Sequence, residues 1–173
     1  MVNQEVAKIF NEISEYLVME EVAFKPQAYE SAALNLESLT IDVVDIYKNK
    51  GIKGLEDIPG IGQSMAEKIE EYIKTGKIKE YQQLKKRLPV DLGELTKIEG
   101  LGPKRIKVLY QKLKIKNLKD LEKALAKHKI AKLEGFGEKT EENILKSMEF
   151  LKKSAGRFVL GYVYPQIEEI IGK

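Results

Sequence analysis

The 173 residues carry 30 basic and 27 acidic side chains, 43% apolar types, no cysteine and one histidine, His128, a size that allows one or two small domains and excludes a large multidomain enzyme. Disulfides, thiolate nucleophiles, zinc knuckles and a His-based metal site are excluded with them, which leaves lysine, carboxylate, hydroxyl or backbone to carry any chemistry. No run reaches the ~20 uncharged apolar residues of a membrane span, and the opening MVNQEVAKIF lacks the basic start and apolar run of an export signal, so a cytoplasmic monomer with no membrane partner is expected.

Helical periodicity dominates from the first residues. Val6, Ile9, Phe10, Ile13 and Leu17 follow the i, i+3, i+4, i+7 pattern behind Asn3, read as an N-cap. Pro26 opens a second helix through Ala28, Tyr29, Ala32, Ala33 and Leu36, and Thr40 is placed as the cap of a short third helix through Val44 and Tyr47. Further stripes run through Met65, Ile69, Tyr72 and Ile73, through Ile106, Leu109, Tyr110 and Leu113, and through Leu118, Leu121, Ala124 and Leu125 behind Asn117. No period-2 alternation is sustained, so the chain reads as all-α; only Arg157 to Tyr164 has strand-like composition.

Three segments share one frame. They are Ile58-Pro-Gly-Ile-Gly62, Ile98-Glu-Gly-Leu-Gly102 and Leu133-Glu-Gly-Phe-Gly137, each followed by an amphipathic stretch. Two glycines around an apolar residue permit a tight reversal, since glycine accepts positive φ without a Cβ clash. The apolar residue pins the bend into the core. The bare amides at the start of the following helix can then approach a phosphate, and the helix dipole favours an anion there. Each unit could instead be no more than a glycine C-cap. Recurrence in one frame favours the phosphate reading, with Gly60, Gly62, Gly100 and Gly102 as contact points; the third copy, flanked by Glu138, Glu141 and Glu142, reads as a structural hairpin.

Charge is distributed to match. Residues 1 to 50 hold 4 basic and 9 acidic side chains, residues 51 to 133 hold 20 and 11, and residues 134 to 173 hold 6 and 7. A polyanion partner for the middle section follows. Three of the basic residues are arginine, and lysine lacks the fork that reads guanine, so the grip falls on the nucleic-acid backbone rather than on base sequence. Lys104, Arg105 and Lys107, directly after the second hairpin, are the leading phosphate contacts, with Lys97, Lys112, Lys114 and Lys116 widening the patch. Tyr72, Tyr81 and Tyr110 sit at core-like helical positions, and His128 is expected at an exposed helix end.

These units resemble helix-hairpin-helix motifs. AFKPQAYESAA, IPGIGQSMAEKIEEYIKTGKIKEYQQL, LPVDLGELTKIEGLGPKRIKVLY and GFGEKTEENIL together resemble the N-terminal part of the bacterial and archaeal family X DNA polymerases, the branch similar to DNA polymerase beta that usually carries a C-terminal PHP phosphoesterase domain. The resemblance implies a small domain that holds the 5′ side of a DNA gap, residues 1–88, and a fingers-like domain with the second and third hairpins, residues 89–150. Leu88-Pro89 is the expected boundary. It further implies that 151–173, with RFVLGYVYPQIEEII, leads into a catalytic palm. The palm's Asp-x-Asp pair after a Gly-Ser motif is missing from this sequence, so its Mg ions are expected only in that absent domain, and the chain reads as part of a longer polymerase acting in gap-filling base excision repair.

By analogy with such hairpins, a monovalent cation, Na or K, would sit on backbone carbonyls of Ile58 and Ile61 in the first and of Thr96, Ile98 and Leu101 in the second. In the family's small domain a lysine can remove 5′-deoxyribose phosphate by Schiff-base chemistry. The match places that nucleophile at Lys68, and Lys25 and Tyr29 at the 5′-phosphate. The proton-abstracting base stays open between Glu67, Glu71 and water. Glu56 and Ser64 stand where further phosphate-binding lysines of the family are expected. The alternative to a polymerase part bound to gapped or nicked DNA is a stand-alone, non-catalytic helix-hairpin-helix adaptor.

Overall fold

A computed structural model describes residues 1–153, helices joined by turns and irregular loops with no strand among them. The strand-like stretch at 157–164 and most of the palm lead-in lie outside the described residues. The helices are α1 (Val2–Met19), α2 (Lys25–Ser38), α3 (Val43–Glu56), α4 (Gln63–Thr75), α5 (Lys79–Arg87), the single turn α6 (Leu92–Leu95), α7 (Pro103–Leu113) and α8 (Leu118–Leu125). A further helix, α9, runs from 138 to 153. Two compact units divide between Gly93 and Glu94. That is a few residues beyond Leu88-Pro89, because Val90 and Leu92 are buried and the buried Tyr16 hydroxyl donates to the Val90 carbonyl at 2.7 Å.

In the first unit α1 packs mainly on α2. Val6, Ala7, Phe10, Ile13 and Leu17 are buried on one stripe, against Tyr29, Ala32, Ala33 and Leu36 of α2. Phe10 meets Tyr29 edge to face, with ring centroids 5.3 Å apart, the arrangement in which a positive ring edge faces a negative ring face.

Two caps differ from expectation. Asn3 lies inside α1, buried, where its Nδ2 donates to Ile41 O at 2.9 Å and its Oδ1 accepts from Val43 N at 2.8 Å. Asp42, not Thr40, caps α3: Oδ1 accepts from Val44 N at 3.0 Å, and Oδ2 accepts from Val2 N at 3.0 Å. One polar pair thereby ties the starts of α1 and α3 and satisfies amides that helix starts leave open. Asn117 does cap α8, accepting from Asp120 N at 3.0 Å.

The second unit is built on the two later hairpins. Leu95, Ile98, Leu101, Ile106, Leu109, Ile115, Leu121, Leu125, Ile130, Phe136, Ile144 and Met148 are its buried apolar side chains.

Candidate nucleic-acid interface

The three repeats adopt one backbone. Ile61 N donates to Ile58 O, Leu101 N to Ile98 O and Phe136 N to Leu133 O, each at 3.0 Å. The first glycine of each has positive φ: +74° at Gly60, +84° at Gly100 and +79° at Gly135. A turn closed from the first to the fourth residue with positive φ at the third selects glycine there. The inner apolar residues, Ile61, Leu101 and Phe136, are buried, while all six glycines are exposed.

The second glycine of each of the first two hairpins then starts a helix. Gly62 (φ −83°, ψ 174°) is the N-cap of α4 and Gly102 (φ −85°, ψ 169°) that of α7, and neither contributes a side-chain cap. A helix start leaves its leading amides without intrahelical partners. Around Gly62 and Gly102 there is room to reach them, since a Cβ built on either glycine would meet nothing within 4 Å.

Side chains from neighbouring helices hold these bends. Asn35 Nδ2, from α2, donates to Pro59 O at 2.7 Å. Arg105 Nη1 donates to Gly100 O at 2.9 Å, and its guanidinium lies 5.7 Å from the Phe136 ring centroid of the third hairpin. Ser147 Oγ, on α9, accepts from Glu99 N at 2.8 Å. Arg105, read from sequence as a phosphate contact, is therefore also a clamp between two hairpins. Lys104 is exposed beside it, and Lys107 is half-buried on the next turn.

The charge differs sharply between hairpins. Glu56 and Asp57 are exposed immediately before the first. From Glu94 to Leu133, across the second hairpin and beyond, 12 side chains are basic and 4 acidic. The second hairpin therefore lies in the more basic surroundings. At this hairpin Arg105 already places a positive group on Gly100 O. Ile58 O and Ile98 O each accept one turn bond at 3.0 Å and keep a second lone pair, so both are hard oxygen donors of the kind that suits Na or K.

Lys68 lies on α4, six residues past Gly62, with its side chain 18% exposed. Nζ donates to Ser64 O at 3.1 Å and to Ser64 Oγ at 3.0 Å, and pairs with Glu80 Oε2 at 3.2 Å. The Tyr29 hydroxyl donates to the same Glu80 oxygen at 2.9 Å. Burial, then the Glu80 charge, pushes the Tyr29 phenol well above the ordinary tyrosine range, so it stays a donor. Lys25 is exposed at the start of α2, one turn ahead of Tyr29. The two carboxylates weighed from sequence are otherwise engaged: Glu67 accepts from Gln63 Nε2 and Glu71 from Lys79 N. The carboxylate at Lys68 comes from α5 instead, a contact that helical spacing around Lys68 does not reach.

Among the other aromatics, Tyr72 donates to Glu5 and Tyr81 to Glu12, which fixes both as packing residues of the first unit. His128 is 84% exposed and pairs through Nδ1 with Glu141 Oε1 at 2.8 Å. No group of three or more His, Asp or Glu side chains suited to a metal occurs among the described residues. No helix among them is long and apolar enough to cross a membrane.

Residues 1–78 match a family model described as a helix-hairpin-helix domain, and residues 92–149 one described as a SAM-like helix-hairpin-helix tandem. Over 98% of its length the chain is 30% identical to the DNA polymerase/3′-5′ exonuclease PolX of Bacillus subtilis (strain 168), of which it spans 29%. A stretch of 57 residues, 33% of the chain, is 46% identical to a DNA ligase of Natranaerobius thermophilus, covering 8% of that protein.

Proposed function

We propose that this chain, which matches two helix-hairpin-helix models and is alike over almost its whole length to a family X DNA polymerase of which it spans 29%, is a DNA-binding part of that family and grips gapped or nicked DNA by its sugar-phosphate backbone. The observation that carries the reading is the repeated turn with its exposed second glycine at a helix start, set in the second unit among lysines. Main-chain amides and ammonium groups carry no base readout, so the grip is independent of sequence. In the longer relative's setting such a grip would present a primer end and a downstream 5′ end for short-gap filling. Competition between gapped duplexes ending in 5′-phosphate and 5′-hydroxyl tests it. Preference for the phosphate supports a 5′-end seat in the first unit; equal binding removes that seat.

The Tyr29, Glu80 and Lys68 cluster favours a second activity, 5′-deoxyribose-phosphate lyase. The Lys68 amine, after handing a proton to Glu80, would attack the C1′ aldehyde carbon and lose water to form an imine. A base then takes a C2′ proton, the C3′–O bond breaks, and the downstream strand leaves with its 5′-phosphate. The ion pair holds the amine and its proton acceptor together, but it must open before the amine can attack.

A further inference from the structure

The positive charge of the second unit is not confined to its hairpin. Lys112 and Lys114 at the end of α7, Lys123 in α8, and Lys127 and Lys129 beyond α8 line one open groove of about 350 Å³. Asp120 is the single carboxylate in its lining, and Oδ2 of that residue accepts from Lys116 N at 3.2 Å.

Four lysines elsewhere are held in ion pairs: Lys68 with Glu80, Lys74 with Glu70, Lys146 with Glu142 and Lys152 with Glu122. Among the described residues none of the five groove lysines has such a partner. The helix dipole accounts for Lys112 and Lys123, which lie in last turns, where positive charge is favoured. Lys114 Nζ lies 5.6 Å from the Tyr110 ring centroid, a cation–π contact, which leaves Lys127 and Lys129 with neither reason. Like charges around a concave opening repel one another and focus a positive potential into it, a cost that a bound anion relieves.

We propose that this groove is a second backbone seat for the same nucleic acid, taking phosphates several nucleotides from those at the second hairpin. The inference rests on the DNA-binding reading above. Helix α7 has 11 residues, so about 16 Å separates its hairpin end from its groove end at 1.5 Å per residue. A duplex strand running along it covers that span in about five steps of 3.4 Å. Lysine ammonium groups without an arginine fork suit backbone phosphates rather than base edges.

Full-length chain carrying K123Q/K127Q/K129Q, compared with wild type by fluorescence anisotropy on a gapped duplex over a salt series, tests the groove. These side chains are exposed, so the fold is retained, and helical circular dichroism checks it. The expected result is about tenfold weaker binding at low salt and a salt slope shallower by about two to three. Unchanged affinity and slope with wild type still binding would overturn the groove and leave the DNA-binding reading standing. An equal loss from K8Q/K48Q/K50Q, which removes the same charge elsewhere, would overturn it as a site by making the effect one of net charge. Failure of the wild type to bind would overturn both.

Discussion

Lys68 Nζ and Glu80 Oε2 lie 3.2 Å apart, and Tyr29 donates to the same oxygen at 2.9 Å. A buried phenol thus fixes the carboxylate that faces the candidate nucleophile. If Lys68 forms the Schiff base, borohydride reduction of a mixture with 5′-deoxyribose-phosphate DNA traps a covalent adduct, and Lys68→Ala abolishes it. Glu80→Gln keeps a partner for Tyr29 but removes the proton acceptor, and trapping slows by roughly a hundredfold. An adduct at full yield with Lys68→Ala rules out the assignment.

The core of the first unit predicts a stability result that involves no DNA. Phe10 is fully buried and packs edge to face on Tyr29. Phe10→Ala is expected to cost about 3 to 5 kcal/mol through lost burial and a residual cavity. Asn3→Ala strands the Val43 amide and Ile41 carbonyl and is expected to cost about 1 to 3 kcal/mol. Urea unfolding of the two variants measures both. A near-neutral Asn3→Ala would show that the starts of α1 and α3 are held by other contacts.

Alkaline pH should loosen the first unit. Tyr16, Tyr29 and Tyr81 all have phenols pushed up, first by burial and then by nearby carboxylates, Glu12 for Tyr16 and Glu80 for Tyr29; at Tyr81 the bond to Glu12 is the second cause. A folded-state value above the unfolded value of about 10 contributes stability that is complete below pH 10 and is lost as pH rises through the folded range. The predicted titration of phenolate absorbance shows the exposed tyrosines first and these three only with cooperative unfolding. Early titration of all eight tyrosines of the chain at ordinary values would contradict it.

The second hairpin separates geometry from charge. Ser147→Ala removes the acceptor of the Glu99 amide and leaves every charge in place. It is expected to weaken gapped-DNA binding about three- to tenfold, the worth of one hydrogen bond, with an unchanged salt slope. Lys104→Gln instead should reduce the slope by about one while leaving the bend intact. Anisotropy titrations at several salt concentrations resolve the two, and a slope change with Ser147→Ala would mean that Ser147 does more than hold the bend.

The hairpins and the all-α fold were readable because their signals are local. A Gly-apolar-Gly frame repeats in sequence, and positive φ at Gly60, Gly100 and Gly135 is a property of four consecutive residues. What closes each site is not local. Asn35, Ser147 and Glu80 reach the hairpins and Lys68 from other helices, with sequence separations of 24 for Asn35 to Pro59 and 48 for Ser147 to Glu99. Nothing in the composition around Pro59 or Lys68 marks those partners. Asn3 departs from the cap expectation for a related reason: its residue type suits a cap, but burial against the start of α3 gives its amide better use inside α1.

The most direct measurement is the affinity of the chain for a gapped duplex of arbitrary sequence as a function of salt. Backbone contacts release about 0.9 counterion per phosphate neutralised, so log K should fall linearly with log salt, and scrambling the duplex sequence should leave the line in place. A flat dependence, or affinity that follows base sequence, would contradict a grip made by glycine-exposed amides and lysines.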